Sequence, residues 1–330
     1  MRVGFTYERK CWYEFRDGDS PDANSELLSD EEEREQIEGL EAAGHAVVCI
    51  GDCARLLSNL EHWRDSCDIV FNRSVGYRGT DRKSTVPALL EAAGIPYVGS
   101  TPYVLTLTRH KYHAKLVVGN AGVITPPAAE LHGGTGEGME RVVYPAIVKP
   151  VAESSSIGIE CGLAIVSTPE AARERARVLA ARYGQPALVE TFVEGIEIEV
   201  PVVVDPEPRV LGLAAVSVNG DIPAGTHYLA SDEVYADNYG YVAPPSWVDC
   251  ERVSEAATRA ARSLGIRDYG RIDFRVTPDG TPWFIEASTH PHVQRHSGFF
   301  FAARQMGMDY HDMLGELVRI GMRRCGLTPG

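Results

Sequence analysis

Short apolar runs alternate with longer amphipathic stretches over the first hundred residues. A capping box at 29–32 predicts a helix that begins there and ends at Gly44, and the pattern at 84–93 predicts a second helix. Strands separated by helices predict a parallel α/β sheet. No G-x-G-x-x-G motif follows these strands, so a dinucleotide-binding fingerprint is absent. The apolar runs, each typical of a buried strand, lie at 3–5, 46–50, 69–71 and 95–98.

The next segment predicts one long helix followed by a loop. The helix is expected over 101–120, and it carries Lys111 and Lys115 one turn apart on the same face. The residues of 131–140 include four glycines, which is typical of a surface connection.

The sequence YPAIVKPVAESSSIGIE follows at 144–160. It predicts a strand that ends at Lys149, a loop of small residues and a return strand through 162–166. A proline at the first position and a glycine just past the end then mark a helix. The predicted helix and the strand after it lie at 168–184 and 187–193.

The last third predicts a hairpin between helices. The segment 220–247 is dense in Tyr, Asp, Gly and Pro, and no element is assigned to it from the pattern. A Pro-Asp-Gly turn at 278–280 joins GRIDFRV to WFIEAS, which is the turn chemistry of a β-hairpin. Helices are expected at 250–264, about 297–306 and 309–325.

Charge and composition narrow the classes of function. The 330 residues include 32 Lys and Arg against 46 Asp and Glu, a formal net charge of −14. Nucleic-acid and membrane binding are not expected of so acidic a chain, and any bound phosphate must be held by a local cluster of cations. The sequence has no apolar segment as long as a signal peptide or a membrane span, and no C-x-x-C pair. We therefore expect a cytoplasmic protein without a disulfide framework.

Lys149 is one of five lysines and stands beside the small-residue loop 154–158. A lysine at a strand end can neutralise a phosphate while backbone N–H groups and hydroxyls close over it. An ordinary serine-rich hairpin loop would have the same sequence. Taken alone, this motif favours the ordinary loop.

Asp273 and Glu286 lie on the two strands of the predicted hairpin, and counting outward from the turn places them near each other across the pair. Paired carboxylates suit Mg²⁺, which can bridge nucleotide phosphates. Arg271 faces the same side of its strand. A solvated surface pair is the alternative, but the apolar neighbours of both carboxylates favour a functional site.

Two further groups of polar residues are candidates. Glu190 and Glu197 flank TFVEGI, where the backbone could pair with an adenine and Glu197 could accept ribose hydroxyls. Two surface glutamates are the alternative. His290, His292 and His296 suggest zinc, but this spacing offers no obvious fourth ligand, so a polar loop on the substrate side is favoured.

The order of these motifs is more informative than any one of them. Lys111, Lys149 with SSSIG, ETFVEGIE, RIDF and FIEASTHP follow one another as in the ATP-grasp ligases. LLEAAGIPYVGS and HSGFFFAARQMGMDYHDML resemble the D-alanine–D-alanine ligase branch of that family. The resemblance implies an α/β protein with the three-domain ATP-grasp fold, the second and third domains clasping ATP. These would be an N-terminal parallel α/β domain, a small central α+β domain and a C-terminal α+β domain, at 1–103, 104–190 and 191–330.

The resemblance also implies a role for each matched residue, with ATP and Mg²⁺, or Mn²⁺, as cofactors. Arg271 would contact the transferred phosphoryl group, and Ser297 would contact a substrate carboxylate. The nucleotide and metal positions are, for phosphate, Lys111, Lys149, Ser155, Ser156 and Gly158; for adenine, Glu190, Phe192 and Val193; for ribose, Glu197; and for metal, Asp273, Glu286 and Ser288.

Several positions depart from the family pattern. Ser288 replaces the usual asparagine ligand, and His292 replaces a glycine whose backbone helps to form the oxyanion site. No lysine follows Lys149, although the family brings a Lys–Tyr pair over the γ-phosphate. Val75 stands where the family has histidine, and Thr80 stands where it has glutamate. In the family a Glu–Ser pair holds the first D-alanine, and this sequence offers no clear N-terminal residue to complete that pair. The amino-acid positions are thus less preserved than the nucleotide positions.

Three hypotheses follow from this pattern. The favoured one is an ATP-dependent carboxylate–amine ligase that forms an amide or peptide bond through an acyl phosphate, with a substrate other than D-alanine, in specialised metabolism. A genuine D-alanine–D-alanine ligase of cell-wall synthesis and a non-catalytic nucleotide-binding protein are the alternatives. Small amino acids or carboxylic acids are the expected partners, and a homodimer is the expected assembly.

Overall fold

The computed structural model describes residues 1–236 and 238–328. Its N-terminal part is a parallel four-stranded sheet with the strand order β2-β1-β3-β4, as the hydrophobic pattern predicts. The predicted capping box forms, because the Ser29 hydroxyl accepts from the Glu32 N–H and the Glu32 carboxylate accepts from the Ser29 N–H. The elements are β1 (Arg2–Thr6), α1 (Asp30–Ala42), β2 (Ala46–Gly51), α2 (Cys53–Ser58), α3 (Leu60–Ser66), β3 (Ile69–Asn72), α4 (Thr85–Ala93) and β4 (Tyr97–Val98).

Two helices follow where one was predicted. α5 (Pro102–Arg109) and α6 (Lys111–Asn120) meet at His110, whose φ of −83° and ψ of 90° are not helical. The break has a tertiary cause, since the Lys111 N–H donates to the Val151 carbonyl at 3.0 Å instead of continuing the helix. The prediction of a single helix is therefore wrong. The break places Lys111 at the first position of α6.

The middle of the chain is an antiparallel sheet with the order β5-β8-β6-β7. α7 (Pro169–Tyr183) packs against β6 and β8, and it ends at Gly184, whose φ of 62° is left-handed as expected for a glycine at this position. The predicted strand–loop–strand unit is confirmed, although its return strand is short. The strands are β5 (Ala128–Leu131), β6 (Ala146–Pro150), β7 (Ile165–Val166) and β8 (Ala187–Thr191).

The last part is built on a six-stranded sheet with the order β12-β11-β9-β13-β14, in which β10 also pairs with β9. α9 packs against β9, β13 and β14, while α10 packs against β9, β11 and β12. The predicted hairpin is β13–β14. The elements are β9 (Ile196–Val204), β10 (Pro208–Val210), β11 (Ala214–Val218), α8 (Ser231–Tyr235), β12 (Tyr239–Val242), α9 (Cys250–Leu264), β13 (Asp268–Val276), β14 (Pro282–Ser288), α10 (Gly298–Gln305) and α11 (Tyr310–Arg324).

A shared core joins the two ends of the chain. Phe5 and Phe71 of the parallel sheet belong to the same buried cluster as Tyr269 of β13, Phe299 of α10 and Leu314 of α11. α11 also packs against α1 and β4, so the C-terminal helix completes the N-terminal core.

The packing crosses the expected domain limits. α6 packs against β14 and α9, although it belongs to the segment expected to form the central domain. The boundaries at 103/104 and 190/191 remain predictions. No helix in the described part of the chain has the length and apolar character needed to cross a bilayer.

Asp268 joins three parts of the fold. Its carboxylate is 1% exposed, and it accepts from the Gly99 N–H at 2.7 Å and from the Arg324 guanidinium at 2.7 and 3.0 Å. Its φ of 64° lies in the left-handed region, which Asp and Asn tolerate better than most residues.

We expect Asp268→Ala to lower the free energy of unfolding by about 2–4 kcal/mol, because it leaves the partly exposed Arg324 without its acid and strains the backbone. Asp268→Asn keeps the backbone preference and the hydrogen bond to Gly99, so it should cost less. Chemical denaturation measures both losses. Equal losses would show that neither the backbone preference nor the amide acceptor contributes.

Candidate active site

The three sheets surround a cavity of about 1260 Å³. This volume is large enough for a nucleotide together with a small second ligand. Residues from the carboxyl ends of the parallel strands, from the loop after β6, from the β8–β9 connection and from β13–β14 line it. The predicted site residues on its wall are Lys111, Lys149, Ser155, Ser156, Glu190, Phe192, Val193, Glu197, Arg271, Asp273, Glu286, Ser288 and His292.

Three buried lysines surround two carboxylates at one side of the cavity. Lys149 Nζ lies 3.2 Å from Glu190 Oε1, Lys115 Nζ also pairs with Glu190, and Lys111 Nζ lies 3.4 Å from Glu286 Oε2. Burial raises the pKa of Glu190, but Lys115 and Lys149 outweigh it and hold that pKa below its ordinary value. Glu190 is 2% exposed, so the surface-glutamate alternative is wrong for this residue. Three cations against two carboxylates leave a positive excess that suits phosphate.

The small-residue loop closes one side of the cavity. Ser155 and Ser156 adopt left-handed φ values of 53° and 54°. Ser156 Oγ donates to the Leu229 carbonyl at 2.9 Å, and Ser155 Oγ lies 3.3 Å from His292 Nε2. These contacts join the loop to the segment before α8 on one side and to the segment after β14 on the other. The loop is therefore placed to cover a ligand that lies against Lys149.

Two predicted residues lie off the cavity wall. Gly158 has a φ of 80°, and a Cβ there would lie 2.5 Å from Pro150 Cγ. The loop conformation therefore requires glycine at this position. Ser297 caps α10, since its Oγ donates to the Gln294 carbonyl at 2.6 Å and accepts from the Phe300 N–H at 3.2 Å. Their contacts with phosphate and with a substrate carboxylate stay predictions.

The connection between β8 and β9 presents backbone groups at the other end of the cavity. The Phe192 N–H donates to the Pro145 carbonyl at 2.9 Å, and Arg275 Nε donates to the Val193 carbonyl at 2.6 Å. For the Phe192 carbonyl and the Val193 N–H we find no hydrogen bond within the described residues, so these two groups are available to an adenine edge. Glu197 lines the same end with its side chain 31% exposed.

Asp273 and Glu286 pair directly in the register of β13 and β14, and the prediction that they lie near each other across the hairpin is confirmed. The register shifts just after this pair and skips Ile285, an irregularity of the kind that re-aims side chains beside functional sites. Ser288 pairs with Arg271 and lines the same wall. Two carboxylates and a hydroxyl are hard oxygen donors that fit Mg²⁺ or Mn²⁺, with water and phosphate oxygens completing the coordination.

Arg271 lies between two buried carboxylates. Its Nε and Nη2 each donate to Asp273 at 2.7 Å, and its Nη1 lies 3.1 Å from Glu199 Oε1. Burial raises the pKa of Asp273 to about 6 and that of Glu199 to about 8, against the attraction of Arg271. This wall therefore has a surplus of acidic groups that a divalent cation would balance. Sequence reasoning missed Glu199. It lies two residues after Glu197 on β9, so both side chains are on one face of the strand and line the same cavity.

The three histidines line the cavity, and they do not lie among the groups of the described chain that are close enough to share a metal ion. Burial lowers the pKa of His292 to about 4 and that of His290 well below its ordinary value, so both rings are neutral at pH 7. Elsewhere in the described chain, the side-chain groups close enough to share a metal ion are His110–His113–Glu130 and Asp309–His311–Asp312.

The N-terminal sheet contributes cations that the sequence analysis missed. Val75 lies on the wall and is 6% exposed, whereas Thr80 is exposed and does not line the cavity. Lys83 lines the cavity while its Nζ lies 2.7 Å from Glu26, and Arg73 lines it from the carboxyl end of β3. In parallel α/β sheets ligands bind at the carboxyl ends of the strands, which is the signal that could have identified Arg73.

We expect Lys149→Ala to weaken the affinity for a non-hydrolysable ATP analogue by about 10- to 100-fold, or about 1.5–3 kcal/mol, because a charge-assisted phosphate contact is lost. Isothermal titration calorimetry measures this change. Lys115→Ala is the matched control, since Lys115 also pairs with Glu190 but does not line the cavity. Equal losses in the two variants would trace the effect to Glu190 and not to a phosphate contact.

The family model described as D-ala D-ala ligase C-terminus matches residues 127–319. An uncharacterised protein of Sinorhizobium fredii is 30% identical over 302 residues, covering 87% of this chain and 86% of that protein. A D-alanine–D-alanine ligase of Desulforudis audaxviator is 33% identical over 293 residues, covering 86% and 90%. The crystal structure of the Bacillus anthracis D-alanine–D-alanine ligase complexed with ATP matches with a TM-score of 0.73 at 20% identity over 98% of both chains, which confirms the ATP-grasp fold. The order of motifs, the cavity and these matches agree, and the chain belongs to the D-alanine–D-alanine ligase family of ATP-dependent ligases that form C–N bonds.

Proposed function

We propose that this ATP-dependent ligase joins a carboxylate to an amine through an acyl phosphate, and that its substrates are not two molecules of D-alanine. ATP and Mg²⁺ are the cofactors of the family. One observation carries the proposal: the acidic wall around Arg271 faces the same cavity as Lys111 and Lys149. A metal-bound triphosphate needs both, because the metal takes carboxylate ligands and the free phosphate oxygens need cations.

Each wall would then have a separate task. Lys111 and Lys149 would neutralise phosphate oxygens, and the loop 154–158 would keep water from a reactive acyl phosphate. Mg²⁺, held by Asp273 and Glu286, would supply further charge neutralisation on the phosphates. Arg271 has a rigid, planar guanidinium beside Asp273, one of the two proposed metal carboxylates. It would therefore stabilise charge on the transferring phosphoryl group.

The choice of a substrate other than D-alanine is supported by the N-terminal wall. A site for a second zwitterion needs a carboxylate near the ammonium, and neither the buried Val75 nor the exposed Thr80 supplies one. His292 places a neutral imidazole beside Ser155, which narrows this end of the cavity and offers one ring N–H as a donor. We include cytoplasmic localisation and a homodimer in this proposal.

We expect D-alanine supplied alone to give no more phosphate release than a substrate-free control. The correct acid and amine should raise turnover by orders of magnitude, because a site that lacks matching charges discriminates strongly. A phosphate-release assay over amino acids of both chiralities and small carboxylic acids tests this. His292→Gly should change which amine is accepted while the affinity for ATP stays close to the parent value.

Efficient formation of D-alanyl-D-alanine would overturn this substrate proposal. It would establish the second candidate instead, a genuine D-alanine–D-alanine ligase. The match to the Desulforudis audaxviator ligase favours this candidate, because the aligned region covers 90% of that protein. Intact ATP binding with no turnover on any member of the panel would favour the non-catalytic alternative, for which the absence of any lysine after Lys149 is the motivating observation.

A further inference from the structure

Three buried arginines line the cavity, and they differ in what balances their charge. Arg271 donates to two carboxylates, and Arg275 donates to the carbonyls of the β8–β9 connection. Arg73, which is 5% exposed, makes one side-chain hydrogen bond, from Nη1 to the Tyr269 hydroxyl at 3.3 Å, and its Nε has no partner. Within the described residues Arg73 forms no ion pair. A buried guanidinium without an anion is strongly disfavoured, so this position calls for an anionic ligand.

A second observation places positive charge near Arg73. Lys83 belongs to a buried cluster that lies against the cavity and holds three cations and two carboxylates. Arg73 and Lys83 both disfavour protonation of His290 and His292, so their charges act on the same part of the cavity. The cluster consists of Arg82, Lys83, Arg109, Glu26 and Glu153.

The nearby acid Glu32 forms no ion pair with Arg73 in the described residues. Glu32, on α1, also faces His292, but its carboxylate accepts from the Ser29 N–H and from the Gln294 amide at 3.2 Å. These hydrogen bonds hold the Glu32 carboxylate in place, and Arg73 has no paired acid in the described part of the chain.

β13 shows that the nucleotide would not reach Arg73. Alternate residues of a strand face one side, so Tyr269, Arg271, Asp273 and Arg275 follow one another along the same face. Arg275 contacts the proposed adenine end, Asp273 the metal position, and Tyr269 contacts Arg73 at the opposite end. At roughly 3.3 Å per residue, Tyr269 lies about 13 Å along the strand from Asp273. Arg73 is thus on the substrate side of the phosphoryl-transfer position.

We propose that Arg73 binds a free carboxylate of the substrate, one other than the carboxylate that is phosphorylated. This inference rests on the proposed ligase function and narrows its substrate class. The free carboxylate belongs either to an amino acid that serves as the amine or to a dicarboxylic acid that serves as the acyl donor. Arg73 is in both cases a specificity-determining residue, and Lys83 strengthens the positive potential around it.

Two pairs of probes distinguish the two sources. The first pair is each amino acid of the panel and its carboxamide, and the second is succinate and its monoamide, succinamate. Phosphate release is measured with the wild type, Arg73→Gln and Arg73→Lys, and carboxylate binding is measured by calorimetry in the presence of Mg²⁺ and a non-hydrolysable ATP analogue. Arg34→Gln is the matched control, because Arg34 is an exposed cation at the cavity edge.

We expect Arg73→Gln to raise the KM of the free-carboxylate probe about 10- to 100-fold with kcat within about threefold, and to leave the amide probe unchanged. Arg73→Lys should show a smaller rise, and Arg34→Gln none. In one of the two probe pairs, Arg73→Gln should no longer distinguish the carboxylate from its amide. That pair identifies which substrate supplies the free carboxylate. An equal effect of Arg73→Gln on carboxylate and amide, or a fall in kcat alone, would mean that Arg73 is structural and overturn the inference.

The failure of this inference and the failure of the ligase proposal give different results. Phosphate release by the wild type that does not depend on Arg73 overturns the inference alone. No phosphate release with any probe, together with carboxylate binding that Arg73→Gln abolishes, overturns the ligase proposal and supports the carboxylate site. The thermal stability of each variant is recorded, so that Arg73→Lys, which keeps the charge, replaces Arg73→Gln if the latter does not fold.

Discussion

Glu286→Gln is expected to lower the rate of phosphate release by about a thousandfold or more while the fold stays intact. The amide keeps the side-chain volume, so the packing of the neighbouring Phe284 is preserved. The negative charge that would hold Mg²⁺ opposite Asp273 is lost, and about 4 kcal/mol of lost transition-state stabilisation corresponds to a thousandfold in rate. Steady-state phosphate release at several Mg²⁺ concentrations measures the effect.

Glu251→Gln is the matched control for this change. Glu251 is an exposed carboxylate in the first turn of α9, away from the cavity, so its amide variant should keep the parent rate. The affinity for a metal-free ATP analogue should stay within a few fold in Glu286→Gln. Activity that persists at ordinary Mg²⁺ concentration would place the metal site elsewhere.

Arg271→Lys is expected to lower kcat by about a hundredfold or more with the ATP affinity changed by less than about threefold. A lysine keeps the charge but cannot donate to both oxygens of Asp273 and also reach Glu199, because it lacks the planar fork of the guanidinium. Arg271→Met should in addition lower the free energy of unfolding by about 3–5 kcal/mol, since two buried carboxylates lose their cation. Rate measurements and chemical denaturation separate the two effects.

Arg275→Lys is the matched comparison, because Arg275 lies on the same face of β13, four residues further on. Its guanidinium holds the carbonyls of Val193 and Gly195, so its replacement should weaken nucleotide binding more than it lowers kcat. Identical profiles for the two lysine variants would argue that Arg271 acts on the architecture of the strand and not on the phosphoryl group.

Several parts of the fold could be predicted because the residues that cause them are close in sequence. The capping box of α1 and the left-handed Gly184 after α7 each depend on a few neighbouring residues. The proximity of Asp273 and Glu286 follows from the turn between them, whereas their direct pairing depends on the register shift that skips Ile285. Local chemistry was sufficient in each of these cases.

The errors and omissions have a common cause in long-range contacts. The break at His110 depends on a hydrogen bond from Lys111 to Val151, forty residues away. Arg73 has no motif around it, and its place on the cavity wall follows from the approach of β13 to the parallel sheet.

The sequence by itself determined the alternation of strands and helices, the order of the motifs predicted to bind nucleotide and metal, and the proximity of Asp273 and Glu286. These depend on periodicity, turn chemistry and the spacing of residue types, which act over a few residues. Only the tertiary structure decided which charges balance one another: Glu190 between two lysines, Arg271 between two acids, and Arg73 without an acid. The physical reason is that the balance of buried charges depends on distances between elements far apart in the chain, which no local pattern encodes.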